Sequence, residues 1–221
     1  MNHIIIDLEM NTSSKDSEMK NEIIEIGAVK LNDDFHEISR FHTYSHPENG
    51  EITEIITSLT GIKQYDVENA PLFHESMDSF IKWAGEGDFI VYSWSNCDKK
   101  QIEYEAAYKK YFHERLDYIK KNWVDLQDEY DKVIGTSHSV ALDNALKSAG
   151  VEVIGVPHTA LGDAINTAEL FKILRNEDLK KEKLGNLIEL FKQKNITNSL
   201  MDLFPEMVNY LVVEDLESKE E

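Results

Sequence analysis

The chain contains few of the residues that build disulfides, cysteine-rich zinc sites or flexible linkers. Cys97 is the single cysteine among 221 residues, which excludes an internal disulfide and a zinc site built from several cysteines. Only four prolines are present, and no stretch rich in glycine and serine marks a linker. Long apolar runs are also missing, and the first short one, at residues 4–6, ends at an acid. We therefore expect neither a signal peptide nor a membrane span, and a soluble cytoplasmic protein.

Basic residues are scarce as well. The chain has 23 Lys and Arg against 42 Asp and Glu, which gives a formal net charge of −19. This balance argues against a broad basic face that binds nucleic acid nonspecifically. Two interpretations stay open: the acidity serves solubility alone, or a small cleft uses bound cations to hold a phosphate.

The order of the periodic segments predicts an α/β fold. The 41% apolar content and the length suit a single domain with a sizeable core. Strand-like runs occur at residues 4–6, 23–31, 35–44 and 89–92. Helical spacing occurs at residues 51–59, 71–84, 98–112, 140–149, 162–174, 184–191 and 200–211, and residues 123–133 combine a short extended piece with a helix. Strands followed by mixed helices and one later strand predict an α/β sandwich around a mixed sheet.

Two acids directly follow the first apolar run. Side chains alternate along a strand, so Asp7 and Glu9 point to the same face if the strand continues through them. Two carboxylates on one buried face repel each other unless a divalent cation neutralises both. The alternative is that the strand ends before Asp7 and that both acids are solvated.

Three further polar residues, Asp98, His158 and Asp163, stand just after a strand or near a helix start. Taken singly, each is an ordinary first-turn acid or a surface histidine. Taken with Asp7 and Glu9, they predict that side chains from separate elements meet at one edge of the sheet. Four carboxylates could hold two hard cations, and the imidazole could act as a general base. This equipment is typical of phosphodiester hydrolysis by two metals.

At these residues the sequence resembles the DEDDh, or DnaQ-like, family of 3′–5′ exonucleases. The three motifs are Ile-Asp-Leu-Glu at residues 6–9, Trp-Ser-Asn-Cys-Asp at 94–98, and a histidine followed by four residues and an aspartate at 158–163. Connecting segments also match, at residues 24–29 and 59–71. The similarity runs in the expected order from about residue 2 to residue 175.

Within the family, the tryptophan at position 94, four residues before Asp98, resembles the second motif of the RNA-trimming, KapD-like branch. Ser95, Thr159 and Gly162 stand where that branch often has Gly, Arg and Asp. These departures leave the metal ligands untouched, and the choice between RNA and DNA stays open, with RNA favoured.

The resemblance implies a ribonuclease H-like α/β fold, with a five-stranded mixed sheet flanked by helices. It places the exonuclease domain at residues 1–175. A helical extension, residues 176–221, would pack on or trail that domain, with an acidic tail from about residue 214.

The resemblance also implies a reaction. The enzyme would hydrolyse single-stranded RNA or DNA from its 3′ end to nucleoside 5′-monophosphates, using two Mg²⁺ ions, with Mn²⁺ as a substitute. Asp7 would bind both cations, Glu9 and Asp163 would support one of them, and Asp98 would act on the other. His158 would take the proton of the attacking water.

Five more residues are implied as substrate contacts. Met10 and Asn11 would border the terminal nucleotide, and Leu59, Thr60 and Ile62 would pack against its sugar and base. Leu59 and Ile62 could equally be core residues, because apolar residues in a turn usually are.

Two other functions remain open. The acidity and the C-terminal helices suit a catalytically weak regulatory protein of the same fold that acts through a protein partner. A proofreading exonuclease beside a DNA polymerase is the second alternative. The sequence does not predict an oligomeric state.

Overall fold

The apolar run near the N-terminus forms the central strand of the sheet. The computed structural model describes residues 1–12 and 21–203. Its strands are β1 (Asn2–Thr12), β2 (Asn21–Leu31), β3 (Glu37–Tyr44), β4 (Phe89–Ser93) and β5 (Trp123–Asp125). They lie in the order β3-β2-β1-β4-β5, with β1, β2 and β3 antiparallel and with β4 and β5 parallel to β1. The five-stranded mixed sheet is confirmed.

Helices cover both faces of this sheet. Those between β3 and β4 are α1 (Glu54–Thr60), α2 (Gln64–Val67) and α3 (Phe73–Ala84). Those between β4 and β5 are α4 (Cys97–Tyr108) and α5 (Glu114–Lys121). After β5 come α6 (Leu126–Ile134), α7 (Leu142–Ser148), α8 (Ala160–Arg175) and α9 (Glu177–Leu203). The sequence patterns missed α2 and α5, which are short.

Two core clusters lie on opposite sides of β1. Ile5 packs with residues of α6, α8 and α9, among them Leu126, Phe171 and Leu184. Its neighbours along the strand face the other way and pack with α3, α4 and α5; they are Ile4, Ile6 and Leu8. Because side chains alternate, Asp7 and Glu9 belong to the face of Ile5, which α8 covers. A strand buried on both faces explains the uninterrupted apolar run.

The C-terminal segment is one helix in the described residues, where the pattern suggested two patches. Residues 192–199 contain neither proline nor glycine, so nothing interrupts the backbone hydrogen bonds of α9. Leu184 is fully buried, and Leu187, Ile188 and Phe191 pack against the cluster that includes α6 and α8. Residues 204–211 and the acidic tail from about 214 lie outside the described residues. A boundary at residue 175 and a partner bound to this segment stay predictions.

Membrane insertion by a helix finds no support in residues 1–12 and 21–203. No helix there combines the length and the apolar character that crossing a bilayer requires.

The start of α8 rests directly on β2 at Gly27. A Cβ atom added to Gly27 would lie 2.1 Å from the backbone nitrogen of Leu161 and 2.2 Å from the carbonyl carbon of Ala160. These are backbone atoms, which cannot rotate away. Glycine at this position therefore lets the helix approach the sheet more closely than any other residue would.

We expect Gly27→Ala to lower the free energy of unfolding by about 2–3 kcal/mol, because the added methyl group forces α8 away from the sheet. Urea denaturation followed by tryptophan fluorescence measures the change. Gly87→Ala is the matched control, since a Cβ there meets nothing within 4 Å. Equal losses in the two variants would contradict the close packing at Gly27.

Candidate active site

The two acids of the first motif lie inside β1. The strand continues to Thr12, so the alternative in which it ends before the acids is wrong. Asp7 is paired with Gly27 and Glu9 with Glu25 across the antiparallel ladder. Both acids are partly buried, and both lie on the sheet face that α8 covers.

Asp163 joins them from the first turn of α8. The helix begins at its N-cap Thr159, whose Oγ1 accepts a hydrogen bond from the backbone N–H of Gly162. Carboxylate oxygens of Asp7, Glu9 and Asp163 all lie within 4.8 Å of one another. We call these three residues the carboxylate cluster. The predicted convergence of the first and third motifs is therefore present in the structure.

Asp98 adjoins the cluster from the edge of β1 that lies next to β4. It occupies the first turn of α4, after β4, and is only 5% exposed. Its Oδ1 accepts a hydrogen bond of 3.1 Å from the backbone N–H of Leu8, the residue between Asp7 and Glu9. This bond ties the second motif to the first at the backbone.

Burial and mutual repulsion make these carboxyl groups weak acids. Burial raises the pKa of Asp7 well above its ordinary value, and the nearby charges of Asp98, Asp163 and Glu9 raise it further. Burial, followed by the charges of Glu25 and Asp163, raises the pKa of Glu9 to about 8. Burial also raises the pKa of Asp98, to about 7, against hydrogen bonds that lower it.

His158 lies next to Asp163 in space. Burial raises the pKa of Asp163, while the charge of His158 and a hydrogen bond from its backbone oppose the rise. The His158 side chain is exposed, and its backbone has a φ of 59°, in the left-handed region. All five predicted catalytic positions thus gather at one end of the sheet.

The predicted substrate contacts beside β1 have different surroundings. Met10 is partly buried, whereas Asn11 is 1% exposed. The Asn11 Nδ2 donates to the carbonyl of Glu51 at 3.1 Å, and its Oδ1 accepts from the N–H of Thr53 at 3.3 Å. Its side chain supports the loop before α1, and a contact of Asn11 with substrate stays a prediction.

The predicted contacts at the end of α1 also differ from one another. Thr60 is buried, and its hydroxyl donates to the carbonyl of Ile56 and accepts from the N–H of Ile62. Ile62 is 3% exposed and belongs to a small core cluster. Leu59 is 52% exposed, beside the even more exposed Ile55 on the same helix face. Of the three, Leu59 presents a free apolar side chain, and its role with substrate stays a prediction.

Glu25 is a residue of this site to which the motifs gave no role. It is 2% exposed; one carboxylate oxygen lies 2.6 Å from Nε2 of His42, and the other accepts a 2.9 Å hydrogen bond from the N–H of Ala160. Glu25 therefore anchors the start of α8 to β2. An acid in the middle of the apolar run at residues 23–29 was the signal that could have identified it.

The composition of the cluster fits divalent cations. Several carboxylates held together in a partly buried site repel one another, as their raised pKa values indicate. A hard cation takes oxygen ligands and removes this repulsion. Asp7, Glu9 and Asp163 are placed to ligate one, with Asp98 at the edge.

Comparison with known proteins agrees with this geometry. The RNase_T family model, described as exonuclease, matches residues 4–171. ERI1 exoribonuclease 2 of Mus musculus is 31% identical over 185 residues, which cover 72% of this chain and 26% of that protein. The probable 3′-5′ exonuclease KapD of Bacillus subtilis (strain 168) is 27% identical over 196 residues, 85% of this chain and 93% of KapD.

A solved structure is similar in fold. The nuclease domain of 3′hExo, a DEDDh family member bound to rAMP, superposes with a TM-score of 0.70 at 24% identity, over 80% of this chain and 92% of that one. The chain spans about a quarter of mouse ERI1 exoribonuclease 2.

We expect the free energy of unfolding, measured without divalent cations, to fall as the pH rises from about 5 to about 8. In the unfolded chain these groups ionise near 3.8 for Asp and 4.5 for Glu, whereas in the folded chain Glu9 and Asp98 have pKa values of about 8 and about 7. The folded state binds more protons in this interval, so their loss on raising the pH costs stability.

Urea denaturation in EDTA at a series of pH values measures this slope, and Asp7→Asn should flatten it. At pH 8, Mg²⁺ at about a hundred times its dissociation constant should add about 2.7 kcal/mol. The same Mg²⁺ concentration should add less at pH 5, where protons compete for the carboxylates. A stability that rises over this interval in EDTA would contradict the raised pKa values.

Proposed function

Because this chain belongs to the RNase_T exonuclease family, we propose that it removes nucleotides one at a time from the 3′ end of single-stranded nucleic acid. The observation that carries the proposal is the approach of the carboxylate oxygens of Asp7, Glu9 and Asp163 to within 4.8 Å of one another. RNA is the favoured substrate, because ERI1 exoribonuclease 2 is among the relatives.

The carboxylate cluster would hold two Mg²⁺ ions together with Asp98, and Mn²⁺ could replace them. When bound, these cations stabilise the charge that develops during phosphodiester hydrolysis and make water more acidic. With cations bound, the four carboxylates would be ionised, because ligation and protonation compete for the same oxygens, whose pKa values are otherwise raised.

His158 would accept the proton of the attacking water. A neutral imidazole nitrogen can accept a proton, which suits this role. The water oxygen bonds to the last phosphorus, and the 3′-oxygen of the preceding nucleotide leaves and takes up a proton. The terminal nucleotide is released as a nucleoside 5′-monophosphate. The exposure of His158 and its position beside Asp163 support the assignment.

The 3′-terminal nucleotide would lie between the end of β1 and the end of α1. Leu59 offers an exposed apolar side chain for its base or sugar, and Met10 is partly open beside the cluster. Thr60 and Ile62 would shape this contact from beneath, since both are buried.

We expect Asp7→Asn and Asp163→Asn each to reduce mononucleotide release from a 3′-labelled RNA oligonucleotide by at least about a hundredfold, because each removes a ligand charge. Glu169→Gln is the matched control, since Glu169 lies on α8 and pairs with Lys172 away from the cluster. Circular dichroism checks folding of all three. Wild-type protein that leaves both RNA and DNA intact with Mg²⁺ or Mn²⁺ would overturn the proposed function.

Matched single-stranded RNA and DNA of one sequence separate the RNA trimmer from a proofreading enzyme. We expect kcat/KM to favour RNA by about fivefold or more, the effect of one hydrogen bond to a 2′-hydroxyl. Initial rates on both oligonucleotides at several concentrations give the ratio. A preference for DNA would favour the proofreading function.

A further inference from the structure

The loop that carries His158 has few apolar contacts of its own. This segment, residues 151–159, links α7 to α8, and we call it the histidine loop. Its side chains Val153, Ile154 and Val156 are 44%, 45% and 66% exposed. Apart from Val151, which packs against the core, apolar burial contributes little to its conformation, so polar contacts with α8 largely define it.

Asn166 supplies the main polar contact. Its side chain is 0% exposed, and its Oδ1 accepts a 2.8 Å hydrogen bond from the N–H of Ile154. Its Nδ2 donates to the carbonyl of the same residue at 3.2 Å. One buried amide thus satisfies both backbone groups of a single loop residue, which fixes the loop in position and orientation.

The same helix face carries a metal-ligand candidate. Asn166 follows Asp163 by three residues, so the two side chains lie on neighbouring positions of one face of α8. A rigid helix therefore connects the group that holds the histidine loop to a member of the carboxylate cluster.

The N-cap of α8, which is the last residue of the histidine loop, makes a second stabilising contact within the loop. The Thr159 hydroxyl donates to the carbonyl of Val156 at 2.8 Å. A Cβ atom on Gly162 would lie 2.5 Å from that carbonyl oxygen, so glycine provides the space for it. Between these anchors His158 has a φ of 59°, a conformation that non-glycine residues adopt only when their surroundings enforce it.

We propose that Asn166 is a positioning residue that holds His158 beside Asp163 through Ile154. The proposal rests on the proposed function, in which His158 accepts a proton from water. Loss of the amide would free the loop at Ile154, and the imidazole would spend less time in its productive position, while the carboxylate cluster would keep its ligands.

The test is a double-mutant cycle on the full chain with Asn166→Ala, His158→Ala and both together. Single-turnover cleavage of a 5′-labelled RNA oligonucleotide with Mg²⁺ gives the rate. We expect His158→Ala to lose about a hundredfold or more and Asn166→Ala at least about tenfold, with the apparent KM and the dissociation constant for Mn²⁺ unchanged. The double variant should be no slower than His158→Ala, because the amide acts through the histidine.

Thr167→Val is the matched control. Thr167 is the next residue of α8, is equally buried, and its hydroxyl has no hydrogen-bond partner within the part of the chain that the structure describes. This variant should keep the wild-type rate. If Asn166→Ala does not fold, Ile154→Pro removes the N–H donor from the loop side and leaves α8 intact; it too should slow cleavage without weakening Mn²⁺ binding.

The outcomes separate this proposal from the proposed function. A wild-type rate in Asn166→Ala, or in a folded Ile154→Pro, overturns the positioning role while the exonuclease stands. A double variant whose cleavage rate falls by the product of the two single losses also overturns it. Such a result means that Asn166 affects the rate independently of His158. An inactive wild-type protein overturns both.

Discussion

Repulsion among carboxylates at the end of β1 is the constraint on which the rest of the structure depends. Asp7, Glu9 and Asp163 are closer together than ionised acids in water would remain, and their pKa values rise accordingly. The fold has to hold them in place before any cation arrives. It does so with contacts between backbones and with buried polar side chains, which together oppose the repulsion.

Strand β2 contributes two such contacts and α4 contributes a third. The backbone of α8 rests on Gly27, Glu25 anchors the first residue of that helix, and Asp98 is bonded to the backbone between the two acids of β1. The strongly acidic composition of the chain is also compatible with a nucleic-acid substrate. Cations held by a few carboxylates can bind a phosphate locally, so a broad basic surface is unnecessary.

The sequence predicted the parts of the fold and site that follow from local periodicity. Alternation along the apolar run placed Asp7 and Glu9 on one face, and helical spacing after residue 162 placed Asp163 near a helix start. Whether β1 ended before the acids depended on its pairing with β2, which no local pattern encodes. The roles of Glu25 and Asn166 depend on backbone atoms of Ala160 and Ile154, which only the tertiary structure brings near. The exact start of α8, two residues before the predicted one, depends on its Thr159 cap.

The close packing of α8 on Gly27 has a consequence for the selection of ions. Rotamer changes in side chains can widen or narrow most polar pockets, but here contact between main-chain atoms fixes the start of α8, which carries Asp163, against β2. A contact between main-chain atoms does not adjust through rotamer changes when a larger ion binds. Magnesium binds oxygen at about 2.0–2.1 Å and calcium at about 2.3–2.6 Å. Fixed spacing of the backbone segments that carry the carboxylates is one way for such a site to discriminate between two ions of equal charge.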